Sequence, residues 1–116
     1  MARIVLLFAH GPDAGGAARD GLDAGLAALA FDHDLRVLFD GAGVSLLRPP
    51  HAPGDGLPDW RRGLRALPLH GATIGADCAA LALHGLDGGA LLLDAQALDP
   101  GARRRWLAEA DVVLAF

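Results

Sequence analysis

The two residues of this chain best suited to chemistry are Asp77 and Cys78, which lie where a predicted strand meets a predicted helix. Cys78 is the only cysteine, so no intramolecular disulfide can form. Amides at a helix N-terminus favour an anion, and a thiolate held there can carry sulfur as a persulfide. The neighbouring negative charge of Asp77 disfavours a thiolate. A lone cysteine is also often a small buried apolar residue, so both interpretations of Cys78 stay open.

A second group of candidates follows the first two predicted strands. Gly11, Gly15 and Gly16 lie in a turn whose amides can point inward and hold an anion. Their spacing matches neither G-x-G-x-x-G nor a P-loop, so a tight strand-to-helix turn is the alternative. Ligands of parallel sheets bind outside the carboxyl ends of the strands. We therefore expect these glycines to share a strand-end binding cleft with Asp40 and Asp77.

The composition excludes several kinds of site. All ten basic residues are arginine, so no P-loop or Schiff-base lysine exists. The net charge of −4 argues against direct binding of nucleic acid. The five histidines lack metal-ligand spacing, and we predict neither a metal nor a cofactor. No apolar run reaches membrane-spanning length and no signal-peptide pattern occurs, so we expect a cytoplasmic protein without membrane contact.

Two arginine clusters and an apolar excess bear on partners. The clusters, at 61/62/65 and 103–105, are either solvated helix faces or docking surfaces for an acidic partner, and for 103–105 the solvated face is the favoured interpretation. Hydrophobic residues make up 53% of a chain of 116 residues, more than so small a domain buries by itself. We therefore expect an oligomer.

The apolar runs and the helical patterns between them define the elements that must position these residues. They predict a single α/β domain over residues 1–116, with a five-stranded, mainly parallel sheet between two layers of helices. Gly21 and Gly25 are expected to let the first helix lie close to the sheet. Strands are predicted at 3–8, 35–39, 71–76, 90–94 and 111–116; helices are predicted at 16–30, from Pro58 to Leu67, at 77–84 and from Pro100 onward, with a helical turn at 43–47.

Six segments, in chain order, resemble the DsrE/DsrF-like sulfur-relay family, closest to its DsrF/TusC subunit branch. Ala18–Asp23 is similar to the R-E-G-L-D of that family, and Phe31–Phe39 is similar to F-D-Q-D-(V/L)-x-V-x-F. The last six residues match its closing D-V-I-x-x-F. The other three segments are the apolar run Arg3–Phe8 followed by Gly-x-x-x-Gly, Asp40–Leu47 and Leu81–Leu86.

The resemblance implies a cytoplasmic heterohexamer with two copies of each of three related subunits. The partners would be DsrE/TusD-like and DsrH/TusB-like subunits, together with a sulfur-carrier protein. Such complexes pass a persulfide, either for 2-thiolation of the wobble uridine in tRNA or for sulfur oxidation. The DsrE/TusD subunit carries the main sulfur-accepting cysteine, and the branch that this chain resembles is mainly structural.

One departure from the family concerns the thiol. When Leu81–Leu86 is aligned, the family cysteine falls on Asp77, one residue before Cys78. The leading hypothesis is therefore a non-catalytic subunit of a sulfurtransferase complex for tRNA thiolation. The alternatives are an autonomous sulfurtransferase using Cys78, a subunit of a sulfur-oxidation complex, and a small flavodoxin-like or nucleotide-binding module using the turn at 11–16.

Overall fold

Five parallel strands form one sheet in the order β4-β3-β2-β1-β5. The structure is a computed structural model that describes residues 1–50 and 59–116. The strands are β1 (Arg3–Phe8), β2 (Asp34–Phe39), β3 (Thr73–Asp77), β4 (Gln96–Leu98) and β5 (Val112–Ala115). The helices are α1 (Ala17–Ala30), α2 (Asp59–Ala66), α3 (Cys78–Leu83) and α4 (Pro100–Ala108), with 3₁₀ segments at Gly41–Leu47 and Leu67–His70.

The register of the central strands brings their carboxyl ends level. Phe8 of β1 is paired with Phe39 of β2, which is paired with Ala76 of β3. The two phenylalanine rings stack with centroids 5.2 Å apart and are fully buried. Asp40, which follows β2, and Asp77, the last residue of β3, therefore lie along one edge of the sheet.

Helices cover both faces of the sheet, as the sequence predicts, but unequally. The larger core takes alternate strand residues such as Leu6 and Val37 together with side chains of α1, α2, α3 and the 3₁₀ segments. On the opposite face α4 alone contributes Trp106, which packs with Val5, Leu38 and Leu98. The α4 face is thus a thin layer over the same three-layer α/β fold.

The close approach of α1 to the sheet depends on two glycines, as predicted. A Cβ at Gly21 would lie 2.4 Å from a ring carbon of Phe8. A Cβ at Gly25 would lie 3.0 Å from the Leu6 side chain. Neither position leaves space for a larger residue unless the sheet side chains move.

The fourth strand is the clear error of the sequence-based prediction. Residues 90–94 are not a strand, and β4 lies at Gln96–Leu98, where Gln96 pairs with Gly75. Leu92 and Leu93 are buried in the larger core, and the amide of Leu92 donates to the carbonyl of Leu47 at 2.7 Å. Their apolar character therefore reflects packing against the 41–47 segment and not strand pairing.

The remaining bounds agree with the prediction to within a few residues. The third strand runs from Thr73 to Asp77, two residues later at its start than expected, and the helical turn expected at 43–47 is a 3₁₀ segment over Gly41–Leu47. Pro58, the predicted first residue of a helix, lies outside the described residues.

Candidate functional site

An arginine from the opposite helix holds Asp40 at the carboxyl edge of the sheet. The Oδ2 atom of Asp40 accepts hydrogen bonds from the Nε and Nη2 atoms of Arg103, at 2.9 and 2.5 Å. Its Oδ1 atom accepts from the Gly41 amide at 2.9 Å, which caps the 3₁₀ segment. The two side chains are 21% and 33% exposed, so this ion pair is half-buried. The Asp40 carboxylate is therefore already bound within the chain.

The charge of Asp77, the next carboxylate along the edge, also acts on Arg103. The hydrogen bond that Arg103 donates to Asp40 raises the pKa of Arg103, the charges of Asp40 and Asp77 raise it further, and partial burial opposes the rise. Arg103 therefore ties α4 to the end of β2 through Asp40. This role differs from the solvated face that the sequence favours for residues 103–105. Of those three arginines only Arg103 is half-buried.

Asp77 and Cys78 form the junction between β3 and α3. Asp77 is the N-cap of α3, and its Oδ2 atom accepts from the amide of Ala80 at 2.9 Å. Cys78 is the first residue of this six-residue helix, half-buried and with a free thiol. The carboxylate of Asp77 thus takes one of the amides that would otherwise be available to an anion on Cys78.

The glycine-rich turn separates into two parts. A Cβ at Gly11 would lie 2.8 Å from the Ser45 hydroxyl, so Gly11 lies against the 41–47 segment that begins beside Asp40. Gly15 has φ +62, a conformation that favours glycine, and Gly16 is the N-cap of α1 without a side-chain cap hydrogen bond. Both are exposed. The structure therefore places Gly11 close to Asp40 and leaves Gly15 and Gly16 toward solvent.

Several large apolar side chains lie on the surface. Phe31 is 77% exposed, Leu69 83% and Leu83 84%. On the edge strand β5, Val112 and Val113 are 43% and 44% exposed. Exposed apolar residues mark a surface that a partner covers where they form a contiguous patch.

Residues 1–50 and 59–116 contain no group of three or more histidine, cysteine or acidic side chains placed to hold a metal ion. Within the same part of the chain, no helix is long and apolar enough to cross a membrane.

The fold and the strand-end junction place the chain in a defined class. The model of the DsrE/DsrF-like family matches residues 2–116, and the chain belongs to this family. A solved structure, the YchN protein of Escherichia coli, superposes over the full length of both chains with a TM-score of 0.83 and 20% sequence identity. That similarity supports the three-layer fold.

Within this family the chain is similar over its whole length to proteins named TusC. It is 37% identical to Protein TusC of Klebsiella pneumoniae subsp. pneumoniae, with both chains covered completely. It is 38% identical to Protein TusC of Escherichia coli, again with complete coverage of both chains.

Proposed function

We propose that this chain is a TusC-like, mainly structural subunit of a sulfur-relay complex that serves 2-thiolation of the wobble uridine in tRNA. It would assemble in the cytoplasm with DsrE/TusD-like and DsrH/TusB-like subunits and receive no cofactor of its own. The observation that carries the proposal is the full-length identity of 37% to a protein named TusC. Membership of the DsrE/DsrF-like family, which the chain matches over residues 2–116, supports the same assignment.

The junction at Asp77 and Cys78 supports a structural role over a sulfur-carrying one. The position that corresponds to the family cysteine holds Asp77, whose carboxylate caps α3 through the Ala80 amide. A persulfide anion on Cys78 would share the N-terminus of a six-residue helix with that carboxylate. Two like charges in such proximity repel each other, so the junction disfavours an anionic sulfur.

The exposed apolar residues support assembly with other subunits. Phe31 and Leu69 each expose more than three quarters of their surface, and β5, which contains the exposed Val113, is an edge strand among the described residues. Interfaces between permanent subunits are more apolar than ordinary protein surface, and they remove such residues from water.

The second candidate is an autonomous sulfurtransferase that uses Cys78. The half-buried, unpaired thiol at the start of α3 favours it, because a persulfide needs a reachable sulfur. Of the strand-end candidates, Asp77 lies directly beside this thiol, because its carboxylate caps the same helix.

Intact mass spectrometry separates the two candidates. The isolated chain is incubated with a cysteine desulfurase, cysteine and a sulfur-carrier protein, and Cys78→Ala is the matched control. We expect no gain of mass on the isolated chain, and a gain of about 32 Da per sulfur on a DsrE/TusD-like partner in the assembled complex. A gain on the isolated chain that disappears in Cys78→Ala would establish the autonomous transferase instead.

The tRNA assignment needs a separate measurement. Loss of the gene should remove 2-thiouridine from the wobble position of tRNA, as measured by nucleoside mass spectrometry. Both the wild-type chain and Cys78→Ala should restore it, because the thiol is not the relay station. An unchanged level of 2-thiouridine after loss of the gene would contradict the role in tRNA thiolation and favour a role in sulfur oxidation.

A further inference from the structure

Arg48, at the end of the 3₁₀ segment Gly41–Leu47, forms a cationic surface with Arg61 and Arg65 of α2, and we call this surface the arginine arc. The Nη2 atom of Arg61 donates a hydrogen bond to the backbone carbonyl of Arg48. The Nη2 atom of Arg48 in turn donates to the carbonyl of His84 at 3.3 Å, at the C-terminus of α3. Arg65 lies one turn beyond Arg61, on the same face of α2.

The arc carries charge that the described part of the chain does not neutralise. The five ion pairs among residues 1–50 and 59–116 involve Arg3, Arg36, Arg62 and Arg103, and none involves a member of the arc. Arg62, on the neighbouring face of α2, lies 3.8 Å from Asp59. Arg61 is half-buried, and this burial lowers its pKa. A partly desolvated guanidinium whose hydrogen-bond partner in the described part of the chain is a neutral carbonyl gains free energy from an incoming anion.

An apolar anchor and a recess adjoin the arc. Leu83, which directly precedes His84, is 84% exposed. Beside Arg48 lies a cavity of about 360 Å³ whose lining includes Pro49, Gly85 and Leu86. Arginine is enriched among the residues that contribute most of the binding energy at protein interfaces, and Leu83 adds apolar area that a partner could bury.

We propose that the arginine arc and Leu83 form a docking surface for an acidic protein segment that also presents an apolar side chain. Carboxylates of the segment would pair with the three guanidinium groups, while its apolar side chain packs on Leu83. A protein partner is favoured over RNA because the chain carries a net charge of −4. Three arginines also neutralise few phosphates, so RNA binding would release few counterions. The surface is independent of the sulfur-relay function proposed above, since it is tested by binding alone.

Fluorescence anisotropy with a labelled peptide tests the proposal on the full chain. The probe is a fluorescein-labelled dodecapeptide of glutamates with two leucines, and its controls are the same peptide with glutamines and a single-stranded RNA dodecamer. The test variant is Arg61→Glu with Arg65→Glu. Its matched control is Arg104→Glu with Arg105→Glu, which changes two exposed arginines of α4 and the net charge by the same amount.

The wild-type chain and the α4 control should bind the glutamate peptide equally, within about twofold, and the arc variant should bind it at least about tenfold more weakly. Higher salt should weaken the binding, and the glutamine peptide should not bind. Arg65→Glu alone, at an exposed side chain with no hydrogen bond within the described residues, guards against misfolding of the double variant and should weaken binding about threefold or more. Leu83→Ser should weaken it too, without changing the salt dependence.

Three outcomes would overturn the proposal. The first is no measurable binding of the glutamate peptide to the folded wild-type chain. The second is an equal loss in the arc variant and the α4 control, which would show an effect of net charge alone. The third is tighter binding of the RNA than of the peptide, lost in the arc variant, which would assign the arc to nucleic acid.

Discussion

Gly43 is the position where a single methyl group should do most damage near the strand-end edge. It lies in the 3₁₀ segment Gly41–Leu47, directly against the end of β1. A Cβ at Gly43 would lie 1.9 Å from the carbonyl oxygen of Phe8 and 2.5 Å from its carbonyl carbon, whereas real Cβ contacts essentially never fall below 3.0 Å. Both obstructing atoms belong to the backbone of a central strand. Gly43→Ala must therefore push the 3₁₀ segment away from β1 by about 1 Å, because a core this well packed resists strain.

The expected loss in the free energy of unfolding follows from the packing and the hydrogen bonds that this displacement disturbs. Forcing extra carbon into a packed region costs about 1–3 kcal/mol. The Phe8 carbonyl accepts from the Asp40 amide at 3.0 Å, and the Asp40 carbonyl accepts from the Gly43 amide at 2.8 Å, so both hydrogen bonds lengthen. Each is worth about 1 kcal/mol net. We expect Gly43→Ala to lower the free energy of unfolding by about 3–5 kcal/mol, a large share of the stability of a small domain.

Denaturant unfolding followed by circular dichroism measures this loss. The matched control is Gly89→Ala, because a Cβ at Gly89 meets no atom within 4 Å and its φ lies outside the left-handed region. We expect Gly89→Ala to change the free energy of unfolding by less than about 1 kcal/mol. A loss below about 1 kcal/mol in Gly43→Ala, with the same denaturant slope as wild type, would refute the claim that the 3₁₀ segment is locked against β1.

Two further perturbations test the contacts of α4. In a double-mutant cycle of Asp40→Asn and Arg103→Gln, the half-buried ion pair should show a coupling of about 1 kcal/mol in denaturant unfolding, and additive losses would contradict the geometry. Asp99→Ala should lower the free energy of unfolding by about 1 kcal/mol, because the Asp99 side chain caps α4 by accepting a hydrogen bond from the Ala102 amide at 2.7 Å. The control is Asp94→Ala, which removes an exposed carboxylate without a hydrogen bond in the described residues. It should leave the midpoint of denaturant unfolding unchanged.

The features that the sequence predicted correctly are those encoded locally. The apolar run of β1 is buried on both faces, as a central parallel strand requires, and its alternate residues supply the two cores. Asp99 followed by Pro100 indicated the start of α4, because a cap residue and a proline at the first helical position both affect only the first turn of the helix. The close contact of Gly21 and Gly25 with the sheet could be predicted for the same reason, because both lie in one helix.

The features that the sequence did not reveal depend on contacts between distant segments. Arg103 and Asp40 are 63 positions apart, so no spacing rule joins them. The apolar residues 91–93 resemble a strand, and only the bond from Leu92 to Leu47 shows that they pack as a connection while β4 forms later. Both cases concern partners that are adjacent only after the sheet has formed.

The strand-end edge helps to distinguish a subunit that transfers sulfur from one that supports the transfer. A relay station needs a thiolate and neighbouring groups that remain available to a substrate or partner. Here Asp40 is bound to Arg103 and to the Gly41 amide, while Asp77 caps α3. Asp40 thus holds α4 to the sheet through Arg103, and Asp77 contributes negative charge beside Cys78. The proposed docking surface uses other groups: the arginine arc, on α2 and at Arg48, would draw a partner of opposite charge, and the strand-end carboxylates would not.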